Sequence, residues 1–234
     1  MHNLIFFIDF DKDLKYFETE FPLLEKMNYD FSYLKYIIPD YKSFSKKNIF
    51  EYFKENKKDI IQKLQKRKIF AIKSWNSIND NFFTQIKNLT QQKWEFEEYN
   101  CHLSSTLAGR YYLSKNRIVV FAFFKQKGLI ECIIEELLHL HFWYCLKKLG
   151  VKLSKETISK YWDLSECFID IIFPELKLGY KFSENVCTPT EKLRKHLLPI
   201  WKNRTSFDIF LKESLKIASK FKKSKESVIA AEFE

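Results

Sequence analysis

The sequence predicts an α+β fold, mostly helical, with a small antiparallel or mixed sheet packed on a buried central helix. Three observations carry this expectation. Only 4 glycines and 5 prolines occur in 234 residues, too few for a turn-rich all-β sandwich. Hydrophobic residues make up 46% and aromatics 18%, so a chain of this length can bury a real core. Apolar residues recur at helical spacing along most of the chain, whereas the stretch 93–124 alternates or runs β-branched and aromatic.

Asn3 to Phe10 reads as a short strand or an apolar anchor. Residues 12–40 are aromatic, punctuated by Pro22 and Pro39, and read as irregular. From Ser43 to about Lys68, Ile49, Phe53, Ile60, Ile61 and Leu64 recur among lysines, which predicts an amphipathic helix. A second helix is predicted over 72–92, with Trp75, Ile78, Phe82, Ile86 and Leu89 facing inward. Lys93 to Ser105 reads as a strand. Residues 109–124 read as two more strands joined by Ser114, Lys115 and Asn116. The central helix runs from about Lys127 to Lys148, and Gly150 is its natural stop. Another runs from Ser154, a good N-cap, to Phe173, where Pro174 ends it. Two basic amphipathic helices, Thr190–Lys202 and Ser206–Lys223, close the chain. The segments are therefore an N-terminal helical region (1–92), a core (93–175) and C-terminal basic helices (176–234), together in one compact domain.

The net charge of +10 points either to nucleic acid or another anionic partner, or simply to a lysine-rich composition with solvated helix faces. No glycine-rich loop or zinc-finger spacing accompanies it. The 5 cysteines form no CxxC pair, which suits reduced thiols better than a disulfide framework. The longest charge-free apolar run, Leu137–Leu146, is far short of the roughly 20 residues that span a bilayer. The opening MHNLIFFIDFDKD carries no secretory pattern, so the expected location is cytoplasmic, with no membrane contact.

The central helix contains IIEELLHLHFW, two glutamates and two histidines in an otherwise apolar run. A helix turns about 100° per residue. With Glu135 at zero, His139 falls near 40°, Cys132 near 60°, Glu136 near 100° and Glu131 near −40°. These groups share one arc, and His141, near 240°, lies away from it. A buried carboxylate without a partner is costly, and carboxylates flanking a histidine suit a divalent cation. The alternative is an arc facing a solvent-filled cleft or pairing with lysines. In the next helix Asp163, Glu166 and Asp170 share one side; Glu166 either completes a metal site or belongs to an exposed acidic face.

Glu135-Glu136-Leu137-Leu138-His139 resembles the H-E-x-x-H of zincin metallopeptidases, with glutamate in place of the first histidine. The hairpin before it and the LSECFID segment after it resemble the zincin sheet and the helix that carries a third ligand in gluzincins. The likeness covers roughly Cys101 to Phe173. It implies a zincin-like core in which His139 binds the metal, Glu136 acts as general base and Glu166 is third ligand. Glu135 stands where a histidine binds in the family. The cofactor implied is a divalent metal, zinc by family and manganese or iron by the harder carboxylate-rich shell. The substrate implied is a peptide or protein, with Tyr111, Tyr112 or Arg110 on the preceding strand as oxyanion stabilisers. The implied activity is that of a peptidase or of a weakly active or inactive relative.

Other readings compete. Glu136 to His139 also spells the E-x-x-H of di-iron bundles, which requires a second copy that the sequence lacks. Cys132 could pair with His139 as a nucleophile, against which stands its mid-helix position. A non-catalytic binding protein would use basic C-terminal residues such as Lys216, Lys220, Lys222 and Lys223 to contact nucleic acid or an acidic protein.

Overall fold

A computed structural model describes residues 2–26, 31–38, 46–179, 190–222 and 224. The strands are β1 (Asn3–Phe7), β2 (Glu98–Ser104), β3 (Arg110–Tyr112) and β4 (Arg117–Phe121). The helices are α1 (Phe10–Lys26), α2 (Lys46–Glu55), α3 (Lys57–Asn76), α4 (Asn79–Thr90), α5 (Gln126–Lys148), α6 (Lys155–Ile172), α7 (Glu191–Lys202) and α8 (Phe207–Ala218). The chain is mostly helical with one small mixed sheet, an α+β fold as the composition requires.

The described chain forms two compact units. One holds residues 3–77 and 98–136, the other residues 2, 78–97 and 137–234. The boundary falls within the residues of α5.

The first unit contains the whole sheet, in the order β1-β2-β4-β3. β1 and β4 both run parallel to β2, and β3 pairs antiparallel with β4. Of the stretch 12–40 read as irregular, residues up to Lys26 belong to α1 and Ser32–Tyr36 form a short 3-10 helix, while 27–30 and 39–40 lie outside the described residues. Phe10, Leu14, Phe17 and Phe21 of α1 form a buried stripe at helical spacing. Asp9 caps this helix, its carboxylate accepting the Lys12 amide at 3.1 Å. Pro22 lies inside α1 without ending it.

Two acids of α1, Asp13 and Glu20, are buried, Asp13 completely. Asp13 accepts the Ser104 and Thr106 hydroxyls and both the amide and hydroxyl of Ser105, the latter two at 2.6 Å. One carboxylate thus satisfies the polar groups where β2 leaves the sheet.

The long helices expected over 43–68 and 72–92 are divided differently. The first three positions of the earlier one, 43–45, lie outside the described residues. A break at Asn56 separates α2 from α3, and α3 continues to Asn76 before Ile78 starts α4. The apolar repeat survives such breaks, so periodicity alone does not reveal them.

The second unit is built from α4, the C-terminal half of α5, and α6 to α8. Its core holds Phe142, Trp143, Phe168, Trp201, Phe207 and Phe210, all nearly or fully buried. Burying each such side chain contributes roughly 1.5–3 kcal/mol. Ser154 caps α6 as expected, accepting from the Thr157 amide. Gly150 ends α5 at φ +85°, where the amide of Val151 reaches back to the Leu146 carbonyl at 3.1 Å. Among the described residues, no helix is long and apolar enough to cross a membrane. Cys101, Cys132, Cys145 and Cys167 are buried free thiols.

Candidate metal centre

Most of α5 is apolar, and residues such as Ile133, Ile134, Leu137, Leu138 and Leu140 are completely buried. Its polar groups lie where the helical wheel collects them. Glu135 and His139 are one turn apart. Together with Glu166 of α6 they offer ligand atoms that all lie within 4.8 Å of one another. No other group of three His, Cys, Asp or Glu side chains gathers this way among the described residues.

His139 is buried, and both of its ring nitrogens face α6. Nδ1 lies 2.6 Å from the Ser165 hydroxyl, and Nε2 lies 3.3 Å from Glu166 Oε1. Burial pushes the imidazole pKa down to about 3, so the ring is neutral near pH 7. The contact with Glu166 is therefore not an ion pair at that pH. Ligands about 2.1 Å from a tetrahedral ion stand about 3.4 Å apart, close to the 3.3 Å between Nε2 and Oε1. Two carboxylates and one neutral imidazole make a donor set of charge −2, which a divalent cation offsets. The residues present fit such an ion.

Glu136, the next residue along α5, is buried as well. Its carboxylate presses against Gly109, where an added Cβ would lie 2.8 Å from Oε1. Gly109 also has φ +75°, so both its backbone and its close approach call for glycine. Burial raises the Glu136 pKa well above the carboxylate range, Glu135 pushes it further, and Arg110 pulls it back.

The acidic side of α6 resolves into separate tasks. Asp163 accepts the amide and hydroxyl of Ser224 at 2.9 and 2.5 Å. Asp170 accepts the Thr190 hydroxyl at 3.4 Å. Glu166, between them, faces His139.

Of the strand residues considered as oxyanion stabilisers, Arg110 and Tyr112 are held by Glu20 of α1. Arg110 Nε donates to one carboxylate oxygen at 3.2 Å and the Tyr112 hydroxyl to the other at 2.7 Å. Burial and Glu20 raise the Tyr112 pKa. Tyr111 points to the opposite face of the strand.

His141 lies away from the cluster. Its Nε2 sits 3.1 Å from the Thr90 hydroxyl, and its ring packs on Trp94 at 4.4 Å. Cys132 is buried, and desolvation, then Glu136 and Glu135, raise its thiol pKa well above the ordinary value, which removes thiolate character. Lys216, Lys220 and Lys222 are exposed at and beyond the end of α8, and Lys223 lies outside the described residues.

Sequence reasoning missed Ser165, Glu20, Asp13 and Gly109. Ser165 and Gly109 left a trace, the one directly before Glu166 and the other a rare glycine before β3. Glu20 and Asp13 lie some 90 residues from their partners and left none.

No family model matches this chain. Nor does any curated protein or solved structure.

Proposed function

We propose that this chain is a metal-dependent hydrolase of the zincin-like type, acting on a peptide or protein substrate in the cytoplasm. The single observation that carries the reading is the convergence of Glu135, His139 and Glu166 beside a buried Glu136. Zinc is the first candidate ion, with manganese or iron favoured by the two carboxylates. The buried free thiols suit a reducing compartment.

A divalent ion held by these three side chains would supply Lewis acidity, polarising a scissile carbonyl and acidifying a nearby water. Glu136 does the proton work. Its carboxylate takes the proton of the attacking water and hands it to the departing amine, so the base of one step becomes the acid of the next. Burial, and then Glu135, raise its pKa above the carboxylate range, the direction that favours holding a proton between the two steps. Glu20 keeps Arg110 oriented, and the guanidinium moderates the Glu136 carboxyl from the strand side. Exposed lysines after α8 are what any solvated helix presents, and they support no second reading.

The test is elemental analysis of the purified protein and of His139→Ala, followed by a peptidase screen. Near-stoichiometric metal that disappears in the variant is the expected result. Absence of metal from the wild type, even after incubation with zinc, manganese and iron, would overturn the proposal.

A further inference from the structure

We infer that Ser165 is a positioning residue for the ion, holding His139 through Nδ1 whichever ring nitrogen carries the proton. This rests on the metal-site reading above. Ser165 is fully buried on α6, directly before Glu166, and its Oγ lies 2.6 Å from Nδ1. Glu166 faces the other nitrogen at 3.3 Å. Two consecutive residues of one helix therefore grip both ends of the imidazole and fix the ring's plane and the direction of its Nε2 lone pair.

A neutral imidazole has one donor nitrogen and one acceptor nitrogen. Without an ion, the tautomer that suits both neighbours carries its proton on Nε2, facing Glu166 at 3.3 Å, and accepts the Ser165 hydroxyl at Nδ1. Were Nε2 to hold an ion, the ring proton would sit on Nδ1 and would donate to Ser165 Oγ. A hydroxyl serves both states by rotating, because it donates or accepts. A carboxylate at this place would only accept and would fit the loaded state alone. Alanine would remove the hydroxyl from Nδ1 in either state. Outer partners of metal-binding histidines typically change metal affinity by about 10–100-fold when removed.

The experiment uses the full chain and Co²⁺ as probe, with affinity read by chelator competition for wild type, Ser165→Ala and Ser165→Thr. Thermal melts establish that each variant is folded. Ser165→Ala should bind Co²⁺ about 10–100-fold more weakly, and Ser165→Thr should recover most of the loss. Independently, ¹⁵N spectra of the wild-type imidazole should show the ring proton on Nε2 before Zn²⁺ is added and on Nδ1 afterwards. Equal Co²⁺ affinity in Ser165→Ala, or an unprotonated Nδ1 in the Zn²⁺-loaded protein, would overturn the role of Ser165 while leaving the metal site standing. A wild type that takes up neither ion would overturn both.

Discussion

Replacing Gly109 by alanine tests the packing that places Glu136. Two costs can be separated. At φ +75° a Cβ meets the backbone penalty of the left-handed region, about 1–2 kcal/mol. The new methyl would also lie 2.8 Å from Glu136 Oε1, closer than real Cβ atoms come. The carboxylate must then leave its rotamer, which costs about 0.5–1.5 kcal/mol. The expected loss is about 2–3 kcal/mol in urea unfolding. Gly150 is an internal control, because it has φ +85° and nothing within 4 Å of an added Cβ. Gly150→Ala should cost only the backbone part, about 1–2 kcal/mol. In a Glu136→Ala background the excess at Gly109 should vanish, since the opposing oxygen is gone. If Gly109→Ala costs the same with and without Glu136, the close approach does not exist. Gly109 would then not fix the position of the Glu136 carboxylate.

Glu136→Gln should retain bound metal while lowering turnover by about 10²–10⁴-fold, the usual worth of a general base; unchanged turnover on a substrate found by screening would dismiss its catalytic role. Asp13→Ala strips four hydrogen-bond donors of their acceptor, and each buried orphan costs roughly 1–3 kcal/mol, so urea unfolding should show a loss of about 4 kcal/mol or a failure to fold. A loss under about 1 kcal/mol would show that water replaces the carboxylate. Acid should destabilise the fold through its buried histidines. Burial holds His139 and His141 down to about 3 in the folded state, against 6.5 when exposed. Above pH 6.5 both states are neutral and neither ring contributes a slope. Below it the unfolded chain takes up protons that the folded chain refuses, so each histidine removes about 1.4 kcal/mol per pH unit until pH falls to about 3. Urea midpoints measured from pH 7 to pH 4 should fall accordingly, and His141→Gln should flatten the slope by one proton's worth.

The helical wheel of α5 and the acidic side of α6 were readable because both depend on a local angle of about 100° per residue. That angle collects Glu135, Glu136 and His139 on one arc and sends His141 elsewhere, where Thr90 and Trp94 receive it. Periodicity alone did not separate the acids of α6; Glu166 was expected at the site because its segment resembles the gluzincin third-ligand helix, and it is the acid that faces His139. Asp163, Glu166 and Asp170 lie on the same side at similar spacing, and only the positions of Ser224, His139 and Thr190 distinguish them. Helix α1 was hidden for a different reason. Its buried phenylalanines are interleaved with charges and a proline, and its inward-facing Asp13 breaks the apolar pattern.

The sequence by itself determined the class of fold, the hairpin of β3 and β4, the stop at Gly150, the cap at Ser154 and the polar arc of α5. Each follows from bonding or periodicity within a few residues. Tertiary structure alone decided that β1 joins β2 in parallel across some 90 residues, that Glu20 takes Arg110 and Tyr112, and that Ser165 and Glu166 meet the two nitrogens of His139. Those pairings depend on which buried polar groups find one another once the chain has folded. Local sequence fixes which groups need a partner; it does not fix which distant residue becomes one.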